Sequence, residues 1–400
     1  MGKWVKKKLG DLGYSFSGLS GKTIDDFGGE KPYIPYMNIF TNGKINSKQL
    51  EYVRIAENER QNKVEQGDWF FTTSSETPDE VGMTSVLVDD IGEAYLNSFC
   101  FGFRLYKKSE FDPEFVSYLF RSVELRKKIS LFAQGSTRYN LPKQQMFEKL
   151  YISYPSSLSE QRRIASILSS ADKVIDSTQK LIAKYKQIKQ GMMEDLLKPK
   201  EGWKKVKLGE CCTRLCNGMT YDIEEKEGYM VTRIETISDG VIDLAKIGHT
   251  SIMPKIEYKL QKGDILFSHI NSLKHIGKIA YCNGDVELYH GMNLLVIRVN
   301  ENIDSKYLYY QLSFDDVRTK IRTLAKSAVN QASINTTELQ KFEINIPISC
   351  SDIPDLSEQR RIASILSSID KKIESEEKVL EKYKNIKKGL MEKLLKEEEV

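Results

Sequence analysis

The stretch L-S-E-Q-R-R-I-A-S-I-L-S-S stands at residues 158–170 and again, unchanged, at residues 356–368. The similarity continues to residues 197 and 395, and the two 40-residue copies agree at 28 positions, 198 residues apart. A duplicated chain tends to fold as two similar units with approximate two-fold symmetry. Duplex DNA has a two-fold symmetry of its own and would suit such a chain as a partner.

A weaker repeat surrounds the two copies. Residues 4–11 resemble residues 203–210, and Gly67-Asp68 recurs as Gly263-Asp264. Short β-branched and aromatic runs separated by Gly, Asn and Asp turns precede each copy, which predicts a mixed α/β domain with a twisted sheet in each half. The repeats divide the chain into four segments: a first domain at 1–157, a first helix at 158–198, a second domain at 199–355 and a second helix at 356–400.

The duplicated segments are predicted to be long helices. Apolar side chains recur in heptads, from Ile164 to Leu196 and from Ile362 to Leu394, which indicates a coiled coil. The heptads are interrupted at matching positions, which favours pairing between the two helices: Thr178 and Glu376, then Lys189 and Lys387. Forty residues make a rod of about 60 Å. We expect an α+β chain in which two long antiparallel coiled-coil helices join two mixed α/β domains with pseudo-two-fold symmetry.

Composition limits the alternatives. The 400 residues suggest two or three domains, and a hydrophobic fraction of 40% is enough for sizeable cores. A net charge of only +4 permits nucleic-acid binding without arguing for it. The six cysteines form no C-x-x-C pair, which predicts reduced thiols. No apolar run is long enough for a membrane span and no signal peptide is visible, so we expect a cytoplasmic protein.

The repeated stretch resembles the specificity subunit of type I restriction-modification systems, and the resemblance covers essentially the whole chain. In each half it follows an apolar segment that ends in proline, at residues 152–155 and 344–347. Other segments similar to that family are Gly67-Asp68, Gly263-Asp264, G-S-T-R-Y-N-L at 135–141 and F-S-H-I-N-S at 267–272. The second half departs from the Gly-Ser-x-Arg-x-Asn-Leu pattern, with K-S-A-V-N-Q-A at residues 326–332.

The resemblance implies a function in DNA recognition. Each domain would be a target recognition domain that binds one half of a split double-stranded DNA sequence, and the paired helices would set the unread spacer. Two methyltransferase subunits would dock on the helices, and restriction subunits would join them. The chain itself would bind no cofactor, since S-adenosylmethionine, ATP and Mg²⁺ would be bound by the partner subunits.

Two polar loops at corresponding places are the first candidates for base contacts. Asn and Gln pair with adenine, Arg and Lys with guanine, and hydroxyls with bases or phosphates. The loops differ in sequence, as readers of different half-sites should, although an ordinary solvated hairpin loop would look the same. The candidate residues are Thr73, Ser74, Ser75 and Thr77 in the first domain, and Ser268, His269, Asn271, Ser272 and Lys274 in the second.

Two further sets of polar residues are candidates. The segment 134–143 and its counterpart 326–333 could contact DNA or could simply connect a helix to a strand; their candidate residues are Arg138, Tyr139, Asn140 and Lys143, then Asn330 and Gln331. Arg233, with Asn38 opposite, could contact DNA or be a structural polar residue at a strand end.

The duplicated Glu-Gln-Arg-Arg tetrapeptide at 160–163 and 358–361 also allows two interpretations. It could cap each long helix and dock it on its own domain, or it could contact a methyltransferase subunit. A capping-box pattern at both helix starts, Ser157 with Glu160 and Asp355 with Glu358, agrees with the first interpretation.

The sequence favours a non-catalytic chain. It contains no Pro-Pro pair, which the Asp/Asn-Pro-Pro-aromatic motif of amino-methyltransferases requires, and no phosphate-binding glycine motif. Asp355 with Glu376 and Lys378 has a nuclease-like spacing, but the last two lie in a heptad helix. Two alternatives stay open: a self-contained DNA methyltransferase or nuclease, and a coiled-coil scaffold that links two protein-binding domains.

Overall fold

The computed structural model describes residues 3–238, 240–272, 275–328 and 331–396. The chain forms two compact units. The first contains Met1–Gln179 and Lys378–Val400, and the second contains Lys180–Glu377. Each unit therefore contains one mixed domain, the beginning of one long helix and the end of the other.

The first half of the chain has short strands, short helices and one long helix. Its strands are β1 Trp4–Lys8, β2 Gly13–Ser17, β3 Phe27–Ile34, β4 Glu51–Val53, β5 Trp69–Thr72, β6 Ser74–Ser75, β7 Thr84–Val86, β8 Tyr95–Leu96, β9 Cys100–Leu105, β10 Tyr139–Asn140 and β11 Tyr151–Pro155. Its helices are α1 Tyr36–Thr41, α2 Pro113–Leu119, α3 Val123–Ser130, α4 Lys143–Lys149 and α5 Leu158–Leu197.

An antiparallel sheet in the order β2-β9-β5-β7 forms the centre of the first domain. The aromatic side chains Trp69, Phe71 and Phe103 of this sheet pack in one core with Phe120, and all four are fully or almost fully buried. Strand β3 pairs with β4 and β8, while β1 pairs with β11 just before α5 begins. The β1–β11 pair thus brings the two ends of the domain together at the start of the long helix.

The second half repeats the same kinds of element. Its strands are β12 Trp203–Lys207, β13 Cys212–Asn217, β14 Tyr229–Val231, β15 Ile237–Ser238, β16 Val241–Ile242, β17 Gly248–Thr250, β18 Ile265–Phe267, β19 Ile270–Asn271, β20 Ile279–Tyr281, β21 Leu295–Val299, β22 Lys326–Ala328, β23 Gln331–Ser333 and β24 Glu343–Pro347. Its helices are α6 Ser305–Ser313, α7 Asp315–Thr323, α8 Thr336–Lys341 and α9 Leu356–Leu394.

The second domain has the topology of the first. Its central sheet has the order β13-β21-β18-β20, each strand at the place of its counterpart in the first domain, and β12 pairs with β24 just before α9. The sequences of these strands differ between the two halves. The weak repeat in sequence therefore corresponds to a shared central sheet and a shared terminal strand pair, whereas the outer sheets differ: β4-β3-β8 in the first half, and β14-β17 and β15-β16 in the second.

A buried ion pair explains why the Gly-Asp dipeptide recurs. Asp68 is 0% exposed and accepts two hydrogen bonds from Arg104, at 2.9 Å from Nε and 2.7 Å from Nη2. Asp264 accepts the same pair from Arg298, at 2.8 and 2.7 Å. The glycine before each aspartate has a positive φ, 89° in one half and 96° in the other, which favours glycine.

One buried glutamine in each half attaches a long helix to its domain. The Oε1 atom of Gln161 accepts the backbone N–H of Asp112 at 2.8 Å, and its Nε2 donates to the carbonyl of Pro155 at 2.9 Å. Gln359 Oε1 accepts the backbone N–H of Asp304 at 2.8 Å, and both glutamines are 0% exposed. Asp112 and Asp304 cap α2 and α6. The docking part of the prediction is confirmed for the glutamine of each tetrapeptide, whereas Glu160 and Glu358 bond Arg163 and Arg361 of their own helix instead of closing the expected capping box.

A tyrosine, an aspartate and a lysine form a second attachment in the first unit. The hydroxyl of Tyr118, on α2, donates to Asp172 Oδ2 on α5 at 2.8 Å. Lys387, from the end of α9, lies 2.5 Å from Asp172 Oδ1 and 5.5 Å from the centroid of the Tyr118 ring. The domain and two helix segments therefore meet at one carboxylate. We call this set, together with the buried glutamine of the same unit, the helix joint.

The second unit has the same helix joint. Tyr310 donates to Asp370 at 2.7 Å, and Lys189 Nζ lies 2.6 Å from Asp370 Oδ1. One turn earlier on α5, Lys186 lies 2.8 Å from Glu377, which lies further along α9, so the two helix segments run antiparallel. The predicted antiparallel pairing is confirmed. The lysines that interrupt the heptads are the cations of the two joints.

Two buried histidines belong to the second domain alone. His269 and His290 are 5% and 1% exposed, and the Nδ1 atom of each is buried without a hydrogen-bond partner among the described residues. His290 Nε2 lies 3.0 Å from the carbonyl oxygen of Leu294. Burial lowers the pKa of both imidazoles to about 4, so both rings are neutral near pH 7.

We predict that Gln161→Ala lowers the opening free energy of α2 by about 2 kcal/mol, because the substitution leaves buried N–H and carbonyl groups unpaired. Native-state hydrogen exchange on peptides from α2 measures this. The matched control is Gln145→Ala, an exposed glutamine on α4, for which we expect a change within about 0.5 kcal/mol. Equal effects of the two substitutions would contradict the role assigned to Gln161.

We predict that acid destabilises the second domain through its buried histidines. The folded-state pKa lies below that of the unfolded chain, near 6.5, so stability is complete above that pH and is lost as the pH falls toward 4. Each histidine should cost about 1–2 kcal/mol between pH 7.5 and 5. Hydrogen exchange on strand β18 peptides measures the slope, which His269→Gln with His290→Gln should flatten; an unchanged slope would refute the prediction.

Candidate nucleic-acid interface

The two candidate segments of the first domain lie side by side. Strand β6 of the 72–77 loop pairs antiparallel with β10 of the 134–143 segment, with Ser74 opposite Asn140 and Ser75 opposite Tyr139. The backbone bond from Leu141 N–H to the carbonyl of Thr73, at 2.8 Å, continues the pair. Residues more than 60 positions apart in sequence thus form one two-stranded surface, which we call the β6–β10 surface.

Positively charged and amide side chains are exposed on the β6–β10 surface. Arg138, Asn140 and Lys143 are exposed, while Tyr139 beside them is partly buried. The Arg138 guanidinium lies 6.0 Å from the centroid of the Phe99 ring, and 57% of Phe99 is exposed. Cations that can reach phosphates, an amide that can pair with adenine and an exposed aromatic ring thus lie together.

Three of the four hydroxyl candidates of the first domain bond within the protein rather than face solvent. Thr73 Oγ1 donates to the carbonyl of Phe99 at 2.8 Å, and Ser75 Oγ donates to the Glu80 carboxylate at 3.0 Å. Ser74 is 5% exposed, and its Oγ accepts a hydrogen bond from Arg138 Nε at 3.2 Å. Among these four, Thr77 has the exposed side chain. Three of the four hydroxyls therefore position the loop in this conformation.

The second domain builds its surface in the same way. Strand β19 of the 268–275 loop pairs antiparallel with β23, with Ile270 opposite Ser333 and Asn271 opposite Ala332. The Ile334 N–H donates to the carbonyl of His269 at 2.8 Å, as Leu141 does to Thr73 in the first domain. We call this pair the β19–β23 surface. Both units place corresponding loops on corresponding strand pairs.

The loop candidates of the second domain differ in exposure. Ser268 and His269 are 1% and 5% exposed, so neither side chain faces solvent. Asn271 is partly exposed, donates from Nδ2 to Ser268 Oγ at 3.2 Å and accepts the Ser272 N–H at 2.8 Å. Ser272 is exposed. Asn271 and Ser272 are therefore the described side chains that this loop presents.

Of the remaining candidates of the second domain, Arg233 alone has a described side chain. Lys274 and Asn330 lie outside the described residues, and Gln331 belongs to β23 while its side chain lies outside them. Arg233 follows strand β14, which pairs with β17 and not with β19 or β23, and its Nε lies 3.7 Å from Glu235. Strand pairing therefore does not bring Arg233 into the β19–β23 surface.

Asn38 has the structural role that its alternative interpretation proposed. It is 2% exposed, and its Nδ2 donates to the carbonyls of Asn46 and Gln49 at 2.9 and 3.0 Å. These bonds close the turn after α1.

Two aromatic residues of the β6–β10 surface were missed from the sequence. Phe99 lies beneath Arg138, and Tyr36 donates its hydroxyl to the carbonyl of Ser74 at 2.8 Å. The available signal was weak, since aromatic residues at the edge of a strand usually belong to a core. Only the strand pairing shows that these rings support a polar surface.

The described residues contain no group of three or more His, Cys, Asp or Glu side chains placed to hold a metal ion. In the same part of the chain, every helix is too short or too polar to cross a lipid bilayer.

Comparison with known proteins gives one family, found twice along the chain. Residues 1–187 and residues 200–385 each match the family described as "Type I restriction modification DNA specificity domain". Together the two matches include almost the whole chain.

Individual relatives agree with this family. The putative type I restriction enzyme MjaX specificity subunit of Methanocaldococcus jannaschii is 43% identical over 200 residues, which are 48% of this chain and 45% of that protein. The chain thus spans less than half the length of that relative. The type I restriction enzyme MjaVIII specificity subunit of the same organism is 27% identical over 306 residues, 70% of this chain and 69% of that protein.

Solved structures agree in fold. The type I restriction-modification system S subunit from M. genitalium gives a TM-score of 0.59 at 15% identity, with 100% of this chain and 97% of that chain covered. A structure described as concerning the structural basis of complex assembly and conformational transition of the type I R-M system gives a TM-score of 0.60 at 17% identity. This match covers 98% of this chain and 97% of that chain. The chain, with two matching domains on the same topology, belongs to the family of type I restriction-modification DNA specificity domains.

Proposed function

We propose that the chain is the DNA-recognition subunit of a type I restriction-modification complex and that each domain binds one half of a bipartite target. One observation carries this proposal. Two domains of the same topology present the β6–β10 and β19–β23 surfaces at corresponding places, with different side chains. Two domains that bind different half-sites require the same strand pairing in each domain and different exposed side chains on it.

The chemistry of each surface fits contacts with duplex DNA. In the first domain Arg138 and Lys143 bind phosphates or guanine, and the Asn140 amide pairs with adenine. In the second domain the exposed candidates Asn271 and Ser272 lie on and just after β19, the counterpart of β6, and the remaining candidates there are Lys274, Asn330 and Gln331. The buried hydroxyls and His269 keep the loops in shape, so they influence recognition without contacting a base in this conformation.

The long helices have a second role in the proposed complex. They keep a set length of DNA unread between the half-sites, and they dock two methyltransferase subunits, which restriction subunits then join. A structure of similar fold is described as concerning assembly of the type I R-M system, which supports this assignment. The chain itself is non-catalytic, with S-adenosylmethionine, ATP and Mg²⁺ bound by the partner subunits.

We predict that single substitutions separate the two kinds of DNA contact. Lys143→Ala should weaken binding to every sequence alike and reduce the salt dependence by about one phosphate contact. Asn140→Ala should cost about 1–3 kcal/mol on the target sequence and relax one base position. Filter binding at two salt concentrations measures both, with a duplex that contains the host's methylated sequence.

The matched control is Lys149→Ala at the other end of α4, where the side chain is also exposed. It should leave affinity and salt dependence unchanged. Binding of DNA that does not respond to salt, or no binding even with methyltransferase subunits present, would favour the protein-binding scaffold instead. Methyl transfer by the purified chain alone would favour an enzyme.

A further inference from the structure

A half-buried arginine holds the segment that follows strand β6 in the first domain. Arg126, on α3, donates from Nη1 to the carbonyl of Gly82 at 2.7 Å. Its Nη2 donates to the carbonyls of Asp79 and Val81 at 2.8 and 2.6 Å. One guanidinium therefore donates hydrogen bonds to three carbonyls within four consecutive residues. These bonds fix the path of the backbone through residues 79–82.

A second half-buried arginine, Arg121, completes what we call the clamp. Arg121 donates from Nε to the carbonyl of Thr84 at 2.8 Å. Its two terminal nitrogens donate to the carbonyls of Phe40, Ile39 and Asn42 at 3.0, 2.7 and 2.8 Å. The segment 79–84 is thus tied at both of its ends, and the second end is also tied to the turn after α1.

These two cations are unusual in what they bind. Apart from a 3.9 Å contact between Arg121 and the Met83 sulfur, every hydrogen bond described for the two guanidiniums goes to a backbone carbonyl. Burial lowers the pKa of each to about 10, which still leaves both charged near neutral pH. A largely desolvated charge that hydrogen-bonds no carboxylate costs free energy, and apolar residues would stabilise the fold at least as well. Such groups are suited to fixing a backbone shape, because a guanidinium presents its donors in a rigid fork.

The clamped segment touches both strands of the β6–β10 surface. Glu80 accepts the hydroxyl hydrogen bond of Ser75, which lies on β6. Gly82 has a φ of 66°, and a Cβ at this position would lie 2.9 Å from a methyl carbon of Leu141. Leu141 directly follows Asn140, the last residue of β10. A shift of the clamped segment would therefore move the side chains that face DNA.

The second domain lacks these bonds among its described residues. The caps Asp112 and Asp304 align the two halves, so Ser313 and Arg318 correspond to Arg121 and Arg126. The Ser313 hydroxyl donates to the carbonyl of Tyr309 at 2.7 Å within its own helix. Arg318 Nη1 lies 3.6 Å from Asp315 Oδ1 on its own helix, and no hydrogen bond joins its guanidinium to a described residue of the loop between β19 and β20. Among the described residues, the clamp is thus found in the first domain and not in the second.

We propose that Arg121 and Arg126 are positioning residues that set the base specificity of the first domain, and that the second domain reads its half-site without such a clamp. This inference rests on the proposed function in DNA recognition. The two arginines contact no base: they fix the segment 79–84, which in turn places the two strands whose exposed side chains meet the groove.

The test uses the full chain assembled with its methyltransferase subunits. Methylation rates are measured on duplexes in which one base pair of either half-site is replaced, and the ratio to the intact target gives the discrimination at each position. Arg126→Lys keeps the charge but loses the fork, and we expect discrimination in the first half-site to fall about tenfold. The second half-site should keep its discrimination. Arg318→Gln, the matched control, should leave both half-sites within about twofold.

A second variant separates specificity from folding. Arg126→Gln also removes the charge and should relax the first half-site further; where it fails to assemble, Arg126→Lys decides by the same criterion. Discrimination that stays intact in Arg126→Lys, or that falls equally in both half-sites, would overturn the clamp. An unsubstituted complex that methylates without sequence preference would instead remove the proposed function, so the two failures are distinguishable.

Discussion

The hydrogen bond that a buried glutamine accepts from the capping residue of a domain helix is the constraint on which each unit depends. Gln161 and Gln359 accept the N–H of a residue that caps α2 or α6, so the first turn of each long helix is fixed to its own domain. The tyrosine, aspartate and lysine of the helix joint repeat the attachment about three turns further along each long helix. A reading surface can be placed accurately only if the domain that carries it cannot rotate on its helix.

Much of this organisation could be predicted from sequence. The unbroken repeat of thirteen residues gives the duplication, and the heptads give the long helices. The interruptions at Lys189 and Lys387 proved informative, because a lysine in an apolar stripe needs a nearby carboxylate, and Asp370 and Asp172 supply it. The Gly-Asp pairs were visible as a repeat, whereas their arginine partners were not, since they lie more than 30 residues away.

The reading surfaces were only half predictable. Composition picked out the polar loops, whose contact with DNA stays a prediction, and strand pairing joins them to the second candidate segments in a way that no single segment indicates. The direction of each hydroxyl depends on register: Ser75 meets Glu80 and turns inward, while Thr77 stays exposed. The clamp by Arg121 and Arg126 was missed for the same reason, because a surface arginine and an arginine that binds buried carbonyls look identical in sequence.

The central claim is that each half of the chain contains a complete and independent reader. Exchange of residues 1–157 for the first domain of another family member, followed by mapping of methylated adenines across the host genome, tests it most directly. The account predicts that one half of the methylated sequence changes while the other half and the spacer between them stay the same. A change in both halves would contradict it.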